Sequence, residues 1–140
     1  MFMKVKAIIF DLDGTLLNTL DDLADSMNRV LTRMRFPIHP TDDYKNFVGD
    51  GIEKLASRVL PETQQDMETI NRCVEEMKKE YGEHWRDKTC PYPGINDMLH
   101  ALAKRRISLN VLSNKPDAYC GGCKTRYPQK TRPDRRFINC

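Results

Sequence analysis

The pattern of apolar and polar positions predicts two short strands separated by several helices. Residues 5–10 form a nearly unbroken apolar run that ends in two aspartates and a glycine, and residues 107–112 form a second, largely apolar run that ends at Ser113. Short apolar runs closed by turn residues are typical of strands inside a parallel sheet. We therefore predict two parallel strands, the first of them buried on both faces.

Between these runs, apolar side chains recur at steps of three and four residues, which indicates amphipathic helices. The predicted helices cover residues 19–34, 41–47, 52–60, 64–85 and 95–105. Met67 begins an apolar stripe on the longest of them, and we interpret that stripe as a packing surface rather than a cofactor site. Residues 90–94 contain two prolines and a glycine and predict a rigid linker.

The helices are more numerous than a two-strand connection requires. A single crossover helix is enough to join two parallel strands, so the surplus predicts an inserted helical domain. We assign residues 1–17 and 86–119 to a discontinuous, incomplete α/β core, residues 18–85 to the helical insert and residues 120–140 to a basic, irregular tail. The tail contains six basic side chains and one acidic side chain, and this change in composition marks the last boundary.

Composition argues against several classes of protein. The chain of 140 residues has no apolar run of transmembrane length and no secretory signal pattern at its start, so we expect a cytoplasmic location and no membrane partner. The chain has five cysteines, an odd number whose spacing does not match a disulfide framework, and we interpret them as reduced thiols. Cys120 and Cys123 resemble half of a zinc site or a redox pair, but no second pair supplies the remaining ligands. The basic tail lacks an aromatic platform, so no nucleic-acid partner is predicted, and the oligomeric state stays open.

Asp11 and Asp13 stand at the end of the first predicted strand, where open α/β sheets bind their ligands. Two carboxylates so close repel each other, and a hard dication relieves the repulsion. Mg²⁺ suits one or two carboxylates together with phosphate and water. One ionised carboxylate could then attack phosphorus, and the other could act as general acid and base. Gly14 allows the sharp turn that follows.

Two other structures are compatible with the Asp-x-Asp-Gly sequence. An ordinary solvated turn has this composition, but the apolar run before it favours a site at a strand end. A calcium-binding loop requires a glycine at its sixth position, which Leu16 occupies, and a helix before it rather than a strand. We therefore favour the strand-end site.

A second group of candidate residues follows the second predicted strand. Ser113 and backbone N–H groups at a helix start would form an anion site, and Asn114 and Lys115 come directly after it. A Ser-Asn pair after a strand is also a common helix cap, and Lys115 could equally lie in solvent. Gly49 and Gly51 would let backbone N–H groups approach a ligand, or would simply join two helices.

Phe10–Leu16, with the sequence Phe-Asp-Leu-Asp-Gly-Thr-Leu, resembles the first motif of the haloacid dehalogenase (HAD) superfamily of phosphohydrolases. Leu17–Leu23 is similar to the phosphoglycolate phosphatase branch, and Val111–Pro116 resembles the second motif. The resemblance implies a Rossmann-like parallel-sheet core with an inserted α-helical cap, in which Asp11 is the nucleophile and Asp13 is the acid and base. It also implies a Mg²⁺ cofactor held by these two aspartates and a small phosphorylated metabolite as substrate.

The residues that the resemblance assigns to phosphate or substrate binding lie in loops after strands or between cap helices. They are Gly14, Thr15, Ser113, Asn114, Lys115, Gly49 and Gly51. The family's later motifs, a lysine and one or two acidic residues, have no counterpart here, so we expect a C-terminally truncated member. Two hypotheses follow. The chain is a Mg²⁺-dependent phosphomonoester hydrolase that acts through an aspartyl-phosphate, similar to phosphoglycolate phosphatase, or it is a catalytically incompetent fragment that at most binds phosphate or a partner.

Overall fold

The computed structural model describes residues 5–113. Its helices and longer strands follow the predicted order, and two short strands are added. In chain order they are β1 (Ala7–Phe10), β2 (Leu17–Asn18), α1 (Leu20–Arg33), α2 (Tyr44–Phe47), α3 (Ile52–Val59), α4 (Met67–His84), β3 (Cys90–Pro91), α5 (Ile95–Lys104) and β4 (Ser108–Val111), with 3₁₀ turns at Thr41–Asp43 and Glu62–Gln64.

The described chain divides into two compact units. Residues 5–18 and 90–113 form the first, called the α/β unit below, and residues 19–89 form the second, called the helical unit. The assignment of these units to a catalytic core and a cap remains a prediction.

In the α/β unit, β1 and β4 form a parallel pair, as predicted. Ala7 is opposite Ser108 and Phe10 is opposite Val111. Beneath the pair lies a core of buried leucines from the loop after β1, from α5 and from β4. They are Leu12, Leu16, Leu99 and Leu109. This core fixes the position of the loop that carries the two candidate aspartates.

The prediction that the first strand is buried on both faces is wrong for the described part of the chain. Successive side chains of a strand point to opposite faces. Ile8 and Phe10 pack against the leucine core, whereas Ile9 on the other face is 67% exposed. The leucine core therefore covers one face of the β1–β4 pair, and the other face keeps its contact with solvent.

The predicted linker at residues 90–94 is partly a strand. β3 pairs with β2 in antiparallel register, with Leu17 opposite Pro91 and Asn18 opposite Cys90. Strands of two residues are too short to show a periodic pattern, and proline is depleted in strands. The pair therefore joins two stretches that lie far apart in sequence and that local pattern could not connect.

The helical unit is held together by contacts of α4 with α1 and with α3. Its buried apolar side chains on these three helices are Ala24, Met27, Val30, Leu31, Leu55, Ala56, Val59, Cys73, Val74, Met77 and Tyr81. α4 begins later than predicted, because Asp66 caps it by accepting a hydrogen bond from the N–H of Thr69 at 2.9 Å. Met67 therefore lies in the first turn and is 73% exposed, so its predicted place in the packing stripe is wrong. Every helix in the described range is too short or too polar to cross a membrane.

Candidate active site

The site predicted from the sequence lies at the carboxyl edge of the β1–β4 pair. The N–H of Leu112 donates a hydrogen bond to the carbonyl oxygen of Phe10 at 2.8 Å. The chain therefore leaves both strands at the same edge, where Asp11 follows β1 and Ser113 follows Leu112. Asp11 is exposed and Ser113 is half-buried. The structure thus brings these two candidate residues to one edge of the α/β unit.

A tight loop after β1 carries the candidate aspartates. The carbonyl oxygen of Leu12 accepts hydrogen bonds from three successive N–H groups, those of residues 15–17, at 3.3, 3.0 and 3.0 Å. Leu12 and Leu16 are buried in the leucine core and anchor the loop. Gly14 has a φ of +75°, a conformation that costs glycine little, and its N–H donates to the carbonyl oxygen of Leu17 at 2.8 Å. The sharp turn predicted at Gly14 is therefore present.

The two aspartates have different surroundings. Asp11 is exposed, and its Oδ1 accepts a hydrogen bond from the N–H of Leu12 at 2.8 Å, which restrains the carboxylate at the strand tip. Asp13 is half-buried and forms a parallel bridge with Leu17. Thr15, one of the predicted phosphate ligands, is exposed on the same loop. A carboxylate can attack a substrate and a carboxyl group can exchange protons. The assignment of these roles to Asp11 and Asp13 stays a prediction.

The side chains on this loop fit a magnesium ion better than a transition metal. Mg²⁺ takes oxygen ligands, commonly one or two carboxylates, and completes its shell with water and substrate phosphate. Asp11 and Asp13 supply carboxylates of this kind, whereas a zinc site would call for His or Cys ligands. In residues 5–113, no group of three or more His, Cys, Asp or Glu side chains is gathered so that it could hold a metal.

Gly49 and Gly51 lie in the helical unit, in the joint between α2 and α3. Their φ angles are +121° and +93°, so both positions favour glycine. Arg58 restrains this joint, because its guanidinium donates a hydrogen bond to the carbonyl oxygen of Phe47 at 3.0 Å and pairs with the carboxylate of Asp50. Periodicity could not reveal this role, since an arginine on an amphipathic helix follows the same spacing whether it is solvated or hydrogen-bonded. Substrate contact by the two glycines stays a prediction.

Several candidate residues lie outside the described range. They are Asn114, Lys115 and the tail cysteines. Of the cysteines in the described range, Cys73 is buried and Cys90 is exposed, and both are free thiols.

A family model for haloacid dehalogenase-like hydrolases matches residues 8–120. The chain belongs to this family. The match begins in β1 and includes both of the motifs that carry the resemblance in the sequence. The recognition of a HAD hydrolase from the sequence is therefore confirmed.

Curated bacterial relatives with the name phosphoglycolate phosphatase are similar to this HAD chain. The protein of Nitrosospira multiformis is 32% identical over 120 residues, which cover 84% of this chain and 53% of the relative. The protein of Chromobacterium violaceum is 33% identical over 116 residues, which cover 81% of this chain and 52% of the relative. The chain thus spans about half the length of the curated relatives it matches.

Solved structures support the fold class. A crystal structure of a protein from Lactobacillus delbrueckii subsp. bulgaricus is similar with a TM-score of 0.78 and 32% identity, covering 84% of this chain and 58% of that protein. The crystal structure of a predicted phosphoglycolate phosphatase from Haemophilus somnus is similar with a TM-score of 0.73 and 29% identity, and the match covers 81% of this chain and 53% of that protein. The predicted α/β fold with part of a HAD core is confirmed.

Proposed function

We propose that this chain carries the reacting carboxylates of a HAD phosphomonoester hydrolase that is similar to phosphoglycolate phosphatase and acts through an aspartyl-phosphate. The observation that carries the proposal is the exposed Asp11 at the carboxyl edge of β1, beside the end of β4. Ligands of open α/β sheets bind at this edge, and membership of the HAD family supports phosphoryl chemistry there.

In the first step, the Asp11 carboxylate attacks the phosphorus of a phosphomonoester. A bond forms between an Asp11 oxygen and phosphorus, and the bond between phosphorus and the ester oxygen breaks with its electron pair. Asp13, in its protonated form, gives its proton to the departing alkoxide, so the alcohol leaves neutral. In the second step, Asp13 takes a proton from water, and the water oxygen attacks the phosphorus to release phosphate and restore the Asp11 carboxylate. No redox change occurs in either step, and each residue ends as it began.

The remaining candidates in the α/β unit would hold the phosphate. Thr15 and the backbone around Gly14 lie on the same loop as the aspartates, and Ser113 reaches this edge from β4. Hydroxyl and N–H donors stabilise the charge that develops on phosphate oxygens. Asn114 and Lys115 are proposed to extend this set, as the resemblance implies.

Magnesium is the cofactor proposed for this site. Asp11 and Asp13, including the backbone carbonyl of Asp13, would hold it. When bound, the ion supplies positive charge that offsets the charge of the two carboxylates and of the substrate phosphate.

The substrate is proposed to be a small phosphorylated metabolite. The name phosphoglycolate phosphatase on the curated relatives makes phosphoglycolate the first compound to test. We propose that Gly49 and Gly51 contribute to its recognition. A cytoplasmic location, without a nucleic-acid or membrane partner, is part of the same proposal.

The alternative is an inactive fragment that at most binds phosphate or a partner. The chain spans about half the length of its relatives, which is the reason to test it. The likeness to proteins of the phosphoglycolate phosphatase type favours the hydrolase.

The deciding experiment follows phosphate release from phosphoglycolate and from an aryl phosphate, with and without Mg²⁺. We compare the chain with the variants Asp11→Asn and Asp97→Asn. Asp97, an exposed carboxylate in the first turn of α5, belongs to the same unit and controls for loss of one negative charge. We expect Asp11→Asn to lower turnover by on the order of 10³-fold or more, and Asp97→Asn to leave it unchanged.

A second measurement identifies the intermediate. Borohydride reduces an acyl phosphate to an alcohol, so a trapped Asp11 becomes homoserine and its peptide changes mass. We expect this mass change at Asp11 during turnover and not in the Asp11→Asn variant. Mg²⁺-independent release, full activity of Asp11→Asn, or a release rate of the unaltered chain no higher than that of Asp11→Asn would refute the proposal, and the last result would support the inactive fragment.

A further inference from the structure

The chain passes between the α/β unit and the helical unit twice. The first passage lies between Asn18 and Thr19, and the second lies between Thr89 and Cys90. On the α/β side, the residues next to the two passages are paired, because Asn18 is opposite Cys90 in the β2–β3 ladder. The two stretches are therefore fixed to each other before they enter the helical unit.

On the helical side, the carboxylate of Asp22 connects the same two stretches. Its Oδ1 accepts a hydrogen bond from the N–H of Lys88 at 2.9 Å, and its Oδ2 accepts from the N–H of Lys88 at 3.0 Å and of Thr89 at 2.7 Å. Asp22 lies in the first turn of α1, near the first passage, and residues 88–89 stand just before the second. We call this set of hydrogen bonds the Asp22 contact.

Two neighbouring interactions support the Asp22 contact. The ammonium of Lys88 lies 2.6 Å from a carboxylate oxygen of Asp25. The hydrogen bond and charge of Asp25 raise the pKa of Lys88 above its usual value, so this ion pair holds at neutral pH. The hydroxyl of Thr89 donates to the carbonyl oxygen of Trp85 at 3.0 Å, which connects residue 89 to the end of α4.

Burial separates Asp22 from an ordinary aspartate at a helix start. A carboxylate in the first turn is stabilised by the helix dipole even when it is solvated, so helix formation gives no reason to bury it. Asp22 is only 2% exposed. Burying a charge is costly unless hydrogen bonds compensate it, and charge-assisted bonds to backbone N–H groups are among the strong ones. The compensation here comes from the amides of residues 88 and 89.

We propose that Asp22 is a positioning residue that fixes the two points at which the chain enters and leaves the helical unit. The β2–β3 ladder fixes the same stretches on the α/β side. The two connections between the units are therefore held side by side on both sides of the junctions 18–19 and 89–90. This inference concerns the connection between the units and does not depend on the proposed hydrolase activity.

The test compares Asp22→Ala and Asp22→Asn with Asp21→Ala and Asp21→Asn in the full chain. Asp21 is the matched control, because it occupies the same first turn and shares the favourable interaction with the helix N-terminus. The first readout is amide hydrogen exchange at residues 88 and 89. We expect Asp22→Ala to speed exchange there about tenfold to a hundredfold, and Asp22→Asn, which keeps one acceptor oxygen, to give a smaller increase. The Asp21 variants should leave exchange at both amides unchanged.

The second readout separates positioning from general stability. It follows amide hydrogen exchange in the middle of α4, away from residues 88 and 89. We expect the amides in the middle of α4 to keep their protection in Asp22→Ala, while those of residues 88 and 89 lose theirs. If Asp22→Ala fails to fold, Asp22→Asn gives the same two readouts. Unchanged exchange at residues 88 and 89, equal effects of the Asp21 variants, or an equal loss of protection in the middle of α4 would overturn the proposal.

Discussion

Glu80 provides a quantitative test of how the helical unit is stabilised. Its carboxylate lies 3.1 Å from the guanidinium of Arg29 and 2.6 Å from that of Arg33, so it connects α4 to α1. The side chain of Glu80 is 11% exposed, whereas both arginines are about half-exposed. Replacing Glu80 with Gln keeps the size of the side chain, removes its charge and weakens both contacts.

The expected loss follows from this geometry. Hydrogen bonds to charged groups contribute roughly 1.5–3 kcal/mol each when buried, and exposed ion pairs contribute about 0–1 kcal/mol. Because solvent screens both arginines, we expect Glu80→Gln to lower the free energy of unfolding by about 1–2 kcal/mol. With a urea dependence of about 1 kcal/mol per molar for a unit of this size, the midpoint should fall by roughly 1–2 M.

Fluorescence of Trp85, the single tryptophan of the chain, reports urea unfolding of the helical unit in which it lies. Burial raises the pKa of the Glu80 carboxyl, but the hydrogen bonds and charges of Arg33 and Arg29 outweigh it and hold the pKa below its usual value. The stabilisation is therefore complete above the unfolded pKa of about 4.3 and is lost as the pH falls through the folded pKa. The difference between the unaltered chain and Glu80→Gln should shrink below about pH 4.

Glu75→Gln is the matched control for this prediction. Glu75 lies on the same helix and pairs with Lys78 at 2.8 Å, but both side chains are exposed. Its replacement should leave the urea midpoint unchanged. A Glu80→Gln midpoint equal to that of the unaltered chain, or a difference that persists undiminished in acid, would show that the arginine contacts do not stabilise the unit in the way described.

Two further predictions concern single residues. Burial raises the pKa of the Cys73 thiol to about 11, so near pH 8 only roughly one molecule in a thousand carries the thiolate. Iodoacetamide should therefore label the exposed Cys90, while Cys73 reacts only after unfolding. Peptide mass spectrometry measures the labelling of both cysteines, and comparable labelling of the two in the folded chain would contradict the burial of Cys73. Gly14→Ala should destabilise the α/β unit by about 1–2 kcal/mol and lower any phosphatase turnover, because a Cβ is strained at a φ of +75° although no atom lies within 4 Å of it. Gly82→Ala, in the last turn of α4, should instead raise the melting temperature, because Gly82 has no positive φ and alanine is the better helix former. Calorimetry that moved both variants in the same direction would refute the argument from backbone conformation.

The helices and the parallel strands could be predicted because local periodicity determines them. α1, α3 and α5 were recognised from apolar steps of three and four, and their bounds in the structure lie within about two residues of expectation. Asp11 and Ser113 could be placed at one edge for a similar reason, since parallel strands end on the same side of a sheet. The Phe-Asp-Leu-Asp-Gly-Thr-Leu motif then led to the HAD family.

What could not be predicted depends on contacts between residues far apart in sequence. The Asp22 contact joins residues separated by 66 and 67 positions, and nothing in the first turn of α1 distinguishes Asp22 from Asp21. The β2–β3 ladder likewise pairs residues that lie far apart in sequence. The exposure of Ile9 could not be predicted either, because an apolar run does not show which faces of its strand other parts of the chain will cover.

The pairing of Asn18 with Cys90 also bears on how such a protein can change over evolution. Because the stretches on both sides of residues 19–89 lie side by side, that segment begins and ends at almost the same place in the α/β unit. A segment with adjacent ends can be lengthened, shortened or exchanged for another without stretching the scaffold that carries it. Residues 19–89 thus form a segment with adjacent ends, and its replacement would leave the aspartate loop and the leucine core beneath it in place.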